Sequence, residues 1–463
     1  MEKNEEFTGL CTGLGTNGEG IVKRDDGTVF VPFLLCGEKA VIRIVKSSGK
    51  IAYGKVVDLC TPSEERTRAR CPVFGKCGGC RLQHMRYRLQ LRFKTELVKG
   101  TLEKIGGISF EVSPCEGSEK EYGYRNKLQL PIGRVRGENA VGFYAERSHR
   151  IVKTDDCPIH PEWAKPLIAA VYRFMETCGI DGYDEETGEG ELRHIVVREI
   201  RRKFLVTLVT AKEIKGIDFF VSLLQKIFRE FSLYLNFHAE NNNVIFGKEF
   251  RLVYGAGSYS YTENGIVCRA GASTFLQVNE GVRAKLYDRA AALVSEKETV
   301  IDCYSGGGLL TAMFARKCKK AYGIELVKEA SEMADRLKEE NGLKEKMKNL
   351  TGRVEELLPA LIAKEKGATI VLDPPRAGVD RGVLKAILQS GAKKVIMISC
   401  NPATLARDLG ILTGSLTETA QGELIKSNQE GNEGFYALES VQPFDMFPQT
   451  KWVETLVVLS KRD

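Results

Sequence analysis

The chain has 463 residues, 43% hydrophobic and 28% charged, with a formal net charge of +7. That is an ordinary globular composition, and the length predicts two to four domains at roughly 150 residues each. No run approaches 18 apolar residues and Met1–Leu10 holds no apolar core, which excludes a helical membrane span and a secretory signal and leaves the cytoplasm as the expected location.

Residues 7–58 read as short alternating strands split by glycines, as in Gly20-Ile21-Val22, Thr28–Val31 and Lys39–Ile44. Several short β segments with turn signals predict a small barrel, either of the OB type that binds oligonucleotides or a structural cap. Residues 59–85 are polar, basic and cysteine-bearing with little periodicity, and 86–106 predict a helix. From about 110 to 268 the pattern is mixed. Val196–Thr210 alternates as a strand does and Phe219–Phe231 fits an amphipathic helix, which predicts an α+β domain.

From about 271 onward strands and helices alternate. Strands are predicted at Thr299–Asp302, Ala321–Leu326, Thr369–Asp373 and Lys394–Ser399, with helices through Lys317 and over 327–341. Such alternation implies right-handed βαβ units and a parallel sheet. The expected fold class is therefore α/β: a barrel at 1–60, a central α+β domain at 61–270 and a Rossmann-like domain at 271–463.

The 13 cysteines are an odd number. In a reducing compartment they point to metal or catalytic roles rather than a disulfide framework. Cys36, Cys178 and Cys268 read as small core residues. Cys71, Cys77 and Cys80, with Cys157 farther on, suit four thiolates around zinc or an iron–sulfur cluster. Basic residues cluster in Arg66–Arg70, Arg81–Lys94, Arg125–Lys127, Arg134–Arg136 and Arg198–Lys203, and only such clustering makes a nucleic-acid footprint.

Between the first strand and helix of the C-terminal domain stands Asp302-Cys-Tyr-Ser-Gly-Gly-Gly308. Glycines there admit a ligand close to the backbone. Glu325 ends the next strand, 19 residues after Gly306, where an acid accepts hydrogen bonds from ribose hydroxyls. The loop is not GxGxxG, so S-adenosylmethionine is favoured over a dinucleotide. Asp373-Pro-Pro-Arg376 ends another strand and faces the same crevice. Cys400, in Ser399-Cys-Asn-Pro402, is a candidate nucleophile at a strand end, and Glu454 opens the last strand as a candidate general base.

These motifs, with Phe275-Leu-Gln-Val-Asn279 and Asp445-Met-Phe-Pro448, resemble the TrmA/RumA family of S-adenosylmethionine-dependent RNA (uracil-C5-)-methyltransferases over almost the whole length. The resemblance implies that Cys400 is the nucleophile and Glu454 the base. It implies that Gln277, Tyr304, Glu325 and Asp373 line the cofactor site, and that the barrel is a TRAM domain. It also favours a [4Fe–4S] cluster over zinc on Cys71, Cys77, Cys80 and Cys157. Two positions depart from the family pattern: Trp452 stands where a His-Val-Glu run is usual, and Leu309 where a polar residue often sits.

Uracil C5 is too weak a nucleophile to take a methyl group from a sulfonium. Thiolate addition at C6 creates an enolate, which makes C5 nucleophilic, and covalent catalysis of this kind splits one hard step into easier ones. Both faces of the ring must be reached, so the uridine must be flipped out of its stack. Arg125 and Lys127 are expected on phosphate, or else in a solvated turn. The expected partner is RNA, ribosomal in preference to transfer RNA, bound by a monomer with no membrane partner. The rivals are an amino-group methyltransferase in which Cys400 is structural, and a non-enzymatic RNA-binding scaffold.

Overall fold

Alternate residues of the first strands point inward and close a barrel, in a computed structural model that describes residues 1–419, 421–427 and 435–462. Its strands are β1 (Glu6–Leu14), β2 (Gly20–Arg24), β3 (Gly27–Val31), β4 (Lys39–Ser48) and β5 (Ile51–Thr61), in the closed order β1-β2-β3-β5-β4. Ala40, Ile42 and Ile44 of β4 meet Val22, Val29 and Val31 in its core. Gly54 is required there, because a Cβ would stand 2.6 Å from the Ile42 side chain. The fully buried Glu38 takes Arg66 at 2.6 Å, which ties the barrel to the cysteine-bearing segment.

Helix α1 (Tyr87–Thr101) follows, then a π-helical turn over Leu102–Gly106. The central sheet contains β6 (Lys127–Val135), β7 (Glu138–Tyr144), β8 (Ile151–Lys153), β9 (Leu192–Ile200), β10 (Lys203–Thr210), β11 (Phe231–Phe237) and β12 (Glu249–Tyr254), in the order β12-β11-β10-β9-β6-β7-β8. Helices α2 (Ala164–Cys178) and α3 (Ile217–Leu224) share its core. The alternating stretch at 196–210 is two strands, turned at Arg201 and Arg202 with φ of 49° and 66°. Two positive φ values are what a tight hairpin needs, and nothing but chain reversal asks for them.

The helix expected over 219–231 stops at Leu224. Phe228 stacks on Phe204 at 4.0 Å, and Phe231 pairs with Phe204 as the first residue of β11. Sheet pairing overrides the helical period. Cys36 is exposed and Cys178 half-buried, so of the three cysteines read as core only Cys268 is buried.

A hairpin of β13 (Tyr259–Glu263) and β14 (Ile266–Ala270) leads to α4 (Glu280–Ala292). The chain then runs β15 (Thr299–Cys303), α5 (Leu309–Lys317), β16 (Lys320–Glu325), α6 (Lys328–Glu340), β17 (Met347–Thr351), α7 (Val354–Lys364) and β18 (Thr369–Leu372). It continues through α8 (Arg381–Leu388), β19 (Lys394–Ser399), α9 (Pro402–Thr413), the short β20 (Leu416–Glu418) and β21 (Leu424–Lys426), β22 (Tyr436–Phe444) and β23 (Glu454–Lys461). The main sheet order is β17-β16-β15-β18-β19-β23-β22, parallel up to β19 and antiparallel beyond it. The strand order reverses beside β15, and ligands of open α/β sheets bind at such a switch point.

Two elements pack across the sequence boundaries. Val98, Leu102 and Ile108, in and just after α1, join the core of the C-terminal sheet. Tyr259 and Cys268 of the β13–β14 hairpin join the core on its other face. Among the described residues no helix is long and apolar enough to cross a membrane.

Candidate active site

Strand β15 ends in Cys303 and hands the chain to Tyr304, whose φ of 66° is left-handed. A non-glycine residue held there costs about 1–3 kcal/mol, and such strain gathers at functional sites. Gly308 has a φ of 81°, and a Cβ on it would meet Ala334 at 2.7 Å. Only glycine lets α5 begin this close to α6. Glu325 braces the loop: its carboxylate accepts the Gly306 and Val327 N–H groups, each at 2.8 Å. Two of its roughly four lone-pair sites are engaged in this way.

A cavity of about 780 Å³ opens over the carboxyl ends of β15, β18 and β19. That volume suits a nucleoside-sized ligand together with a base. Gln277, Tyr304, Asp373, Cys400 and Glu454 all line it. Burial raises the Asp373 carboxyl to about 7. Burial, then the charge of Asp373, holds Glu454 well above the carboxylate range, while Arg376 works the other way.

Cys400 sits at a corner between strand and helix. Asn401 caps α9 by accepting the Ala403 N–H at 3.1 Å, and its Nδ2 donates to the Arg376 carbonyl at 3.0 Å. Pro402 then starts the helix, where its missing N–H costs nothing. The half-buried thiol is pushed up to about 11 by burial and by Glu454, and Arg376 pulls it back down. Strand pairing supplies the rest: the antiparallel β19–β23 ladder ends with Ser399 opposite Thr455, so Cys400 and Glu454 each stand one residue beyond that last pair.

Arg125 and Lys127 line the same cavity rather than a solvated turn. Burial, then the charges of Arg198 and Arg125, lowers the Lys127 ammonium to about 8. Two further lining residues, Arg376 and Trp452, carried no assigned role in the sequence. The Arg376 guanidinium lies 4.5 Å from the centre of the Trp452 ring. No spacing rule announces such a pair, because it joins different loops.

Cys71, Cys77, Cys80 and Cys157 converge on a second, smaller cavity with Phe74 and Phe143. Gly79, Phe143 and Ile159 line both cavities, so the two adjoin. Among the described residues no group of three or more His, Cys, Asp or Glu side chains is arranged to hold a metal ion. Gln449, buried with a φ of 71°, links this region to the strand that carries Glu454. Its carbonyl accepts the Arg81 and Leu82 N–H groups, each at 3.0 Å, and its side chain accepts from Gln90 Nε2 at 3.0 Å.

A doubly wound sheet with a glycine loop, a strand-end cysteine and a facing buried acid defines a group-transfer enzyme that takes a nucleoside cofactor. The family model described as tRNA (uracil-5-)-methyltransferase matches residues 197–462. An uncharacterized RNA methyltransferase of Clostridium tetani is 35% identical over 99% of this chain and 97% of its own. Another, of Halalkalibacterium halodurans, is 36% identical over 100% and 98%. The Pyrococcus abyssi tRNA (uracil-54, C5)-methyltransferase, solved with S-adenosyl-L-homocysteine, superposes with a TM-score of 0.75 at 24% identity, over 98% of this chain and 99% of that one. The chain belongs to the tRNA (uracil-5-)-methyltransferase family and is an RNA uracil-C5 methyltransferase.

Proposed function

We propose that the chain methylates C5 of a flipped-out uridine in RNA, using S-adenosylmethionine, with Cys400 as covalent nucleophile and Glu454 as general base. The observation that carries this reading is the meeting of Cys400, Glu454 and Asp373 in one cavity at the switch point of the sheet. The cofactor supplies an electrophilic methyl group on a sulfonium. Gln277, Tyr304, Glu325 and Asp373 would hold it, and Glu325 also braces the glycine loop. The Cys400 thiolate adds to C6 of the ring, and C5 would then bond the methyl carbon as the methyl–sulfur bond breaks and a neutral thioether leaves. Glu454 takes the C5 proton, and the electrons of that C–H bond re-form the ring double bond and expel Cys400 as its thiolate. A positioned base of this kind contributes roughly 10²–10⁴-fold.

We also propose a [4Fe–4S] cluster on Cys71, Cys77, Cys80 and Cys157. Cys71, Cys77, Cys80 and Cys157 line one cavity and would hold the cluster as thiolates, and four thiolates also suit an iron–sulfur cluster chemically. The division at 1–60, 61–270 and 271–463, with a TRAM-like barrel first, and action as a cytoplasmic monomer belong to the same reading.

Ribosomal RNA is the proposed substrate, on the strength of the four-cysteine pattern. Transfer RNA is the second reading, favoured by the family's description and by the Pyrococcus abyssi enzyme. The test has two parts. Cys400→Ala is expected to abolish both methylation and covalent trapping of 5-fluorouridine RNA, and a persisting adduct would refute the nucleophile. Mapping 5-methyluridine in the ribosomal and transfer RNA of a deletion strain separates the two substrates.

A further inference from the structure

We infer that Trp452 is a positioning residue that holds the Arg376 guanidinium beside Cys400 as the counter-charge for its thiolate. This rests on the reading of Cys400 as nucleophile. The charged groups facing the thiol from neighbouring elements are Asp373 and Arg376 after β18 and Glu454 at the start of β23; Asp302, Arg125 and Lys127 stand elsewhere on the cavity wall. Of the three near groups two are carboxyl groups, which raise the thiol to the extent that they ionise, and the Arg376 guanidinium is the one that favours the charged form of the nucleophile.

Arg376 is an exposed residue on an irregular turn. Its backbone is fixed, since the carbonyl accepts from Asn401 Nδ2 at 3.0 Å and Thr404 Oγ1 at 3.4 Å. Its side chain would otherwise sample many rotamers in solvent. The indole face, the strongest cation–π surface among the side chains, removes that freedom, with the guanidinium 4.5 Å from the ring centre. Lys451 lies 4.8 Å from the same ring, but of the two cations it is Arg376 that the thiol feels most. Trp452 itself sits two residues before Glu454, and its backbone N–H donates to Thr450 Oγ1 at 3.3 Å. One ring thus sets the charge seen by both the nucleophile and the base.

The test is the pH dependence of iodoacetamide alkylation at the Cys400 peptide, read by mass spectrometry in the full-length protein, beside kcat on an RNA substrate. Trp452→Ala is expected to move the alkylation midpoint upward by about one unit, which is about tenfold less thiolate at neutral pH, and to lower kcat more than it raises KM. Trp452→Phe is expected to retain most of the wild-type midpoint. Arg376→Gln is expected to produce the same upward shift, and the double variant no further shift. An unmoved midpoint in Trp452→Ala, or additive shifts in the double variant, overturns the inference. If Trp452→Ala fails to fold, Trp452→Leu and Arg376→Gln carry the comparison. Loss of trapping in Cys400→Ala with an unmoved midpoint in Trp452→Ala would sink this inference and leave the nucleophile standing.

Discussion

Glu454 is buried at 2% exposure and protonates far more readily than a surface carboxylate, so its environment makes it a proton carrier rather than a fixed charge. Glu454→Gln keeps the shape and removes that capacity. The expected result is methylation without release, seen as a covalent protein–RNA complex that accumulates on denaturing gels; normal turnover would rule out the base role. Asp373 has a second consequence. Its carboxyl is raised to about 7 by burial, above the value of about 3.9 in an unfolded chain. The folded state therefore holds its proton more tightly, and stability falls as pH rises from about 4 through about 7. Asp373→Asn is expected to raise the melting temperature at pH 8 but not at pH 4, measured by calorimetry, while methylation is lost. Stability traded for a charged site is a common pattern in enzymes.

Elements place these residues through register and through one buried ion pair. Lys94 of α1 and Asp445, both fully buried, meet at 2.5 Å, and Lys94 also donates to the Phe447 carbonyl at 3.1 Å. The pair pins the segment before β23 to a helix some 350 residues earlier. Lys94→Met leaves a buried carboxylate alone and is expected to cost about 3–5 kcal/mol in urea unfolding, whereas Lys94→Met with Asp445→Leu is expected to cost far less. Much at this scale was readable in advance. The strand–helix alternation from 299 to 399 places β15, α5, β16, α6, β18 and β19 where periodicity set them. The aromatic run at 219–231 misled, because both a helix face and a sheet edge want the same phenylalanines. Only the pairing of Phe231 with Phe204 decides between them.

Across the whole molecule, the loop that carries Cys80 and the loop that leads to Glu454 are joined by Gln449. Losing the proposed cluster should therefore reach the base. Cys80→Ser is expected to lower bound iron and to depress kcat, since a shift of about 1 Å at a reacting group costs on the order of 10²-fold. Iron content and single-turnover rates measured on one preparation test this, and full activity without iron would sink the coupling. The motifs were legible from the chain itself: Asp373, Cys400, Glu454 and the glycine loop are short-range patterns whose chemistry depends on residue type and a strand end. The sequence by itself therefore determined the family and the class of reaction, and it supplied the groups proposed to carry it. Tertiary structure alone decided that Lys127 and Arg125 turn into the cavity, that Glu325 braces the loop, and that Arg376 stacks on Trp452 beside the thiol. The physical reason is distance along the chain. Periodicity and capping act within a few residues, whereas charge, burial and stacking are set by whichever distant segments the packed core brings together.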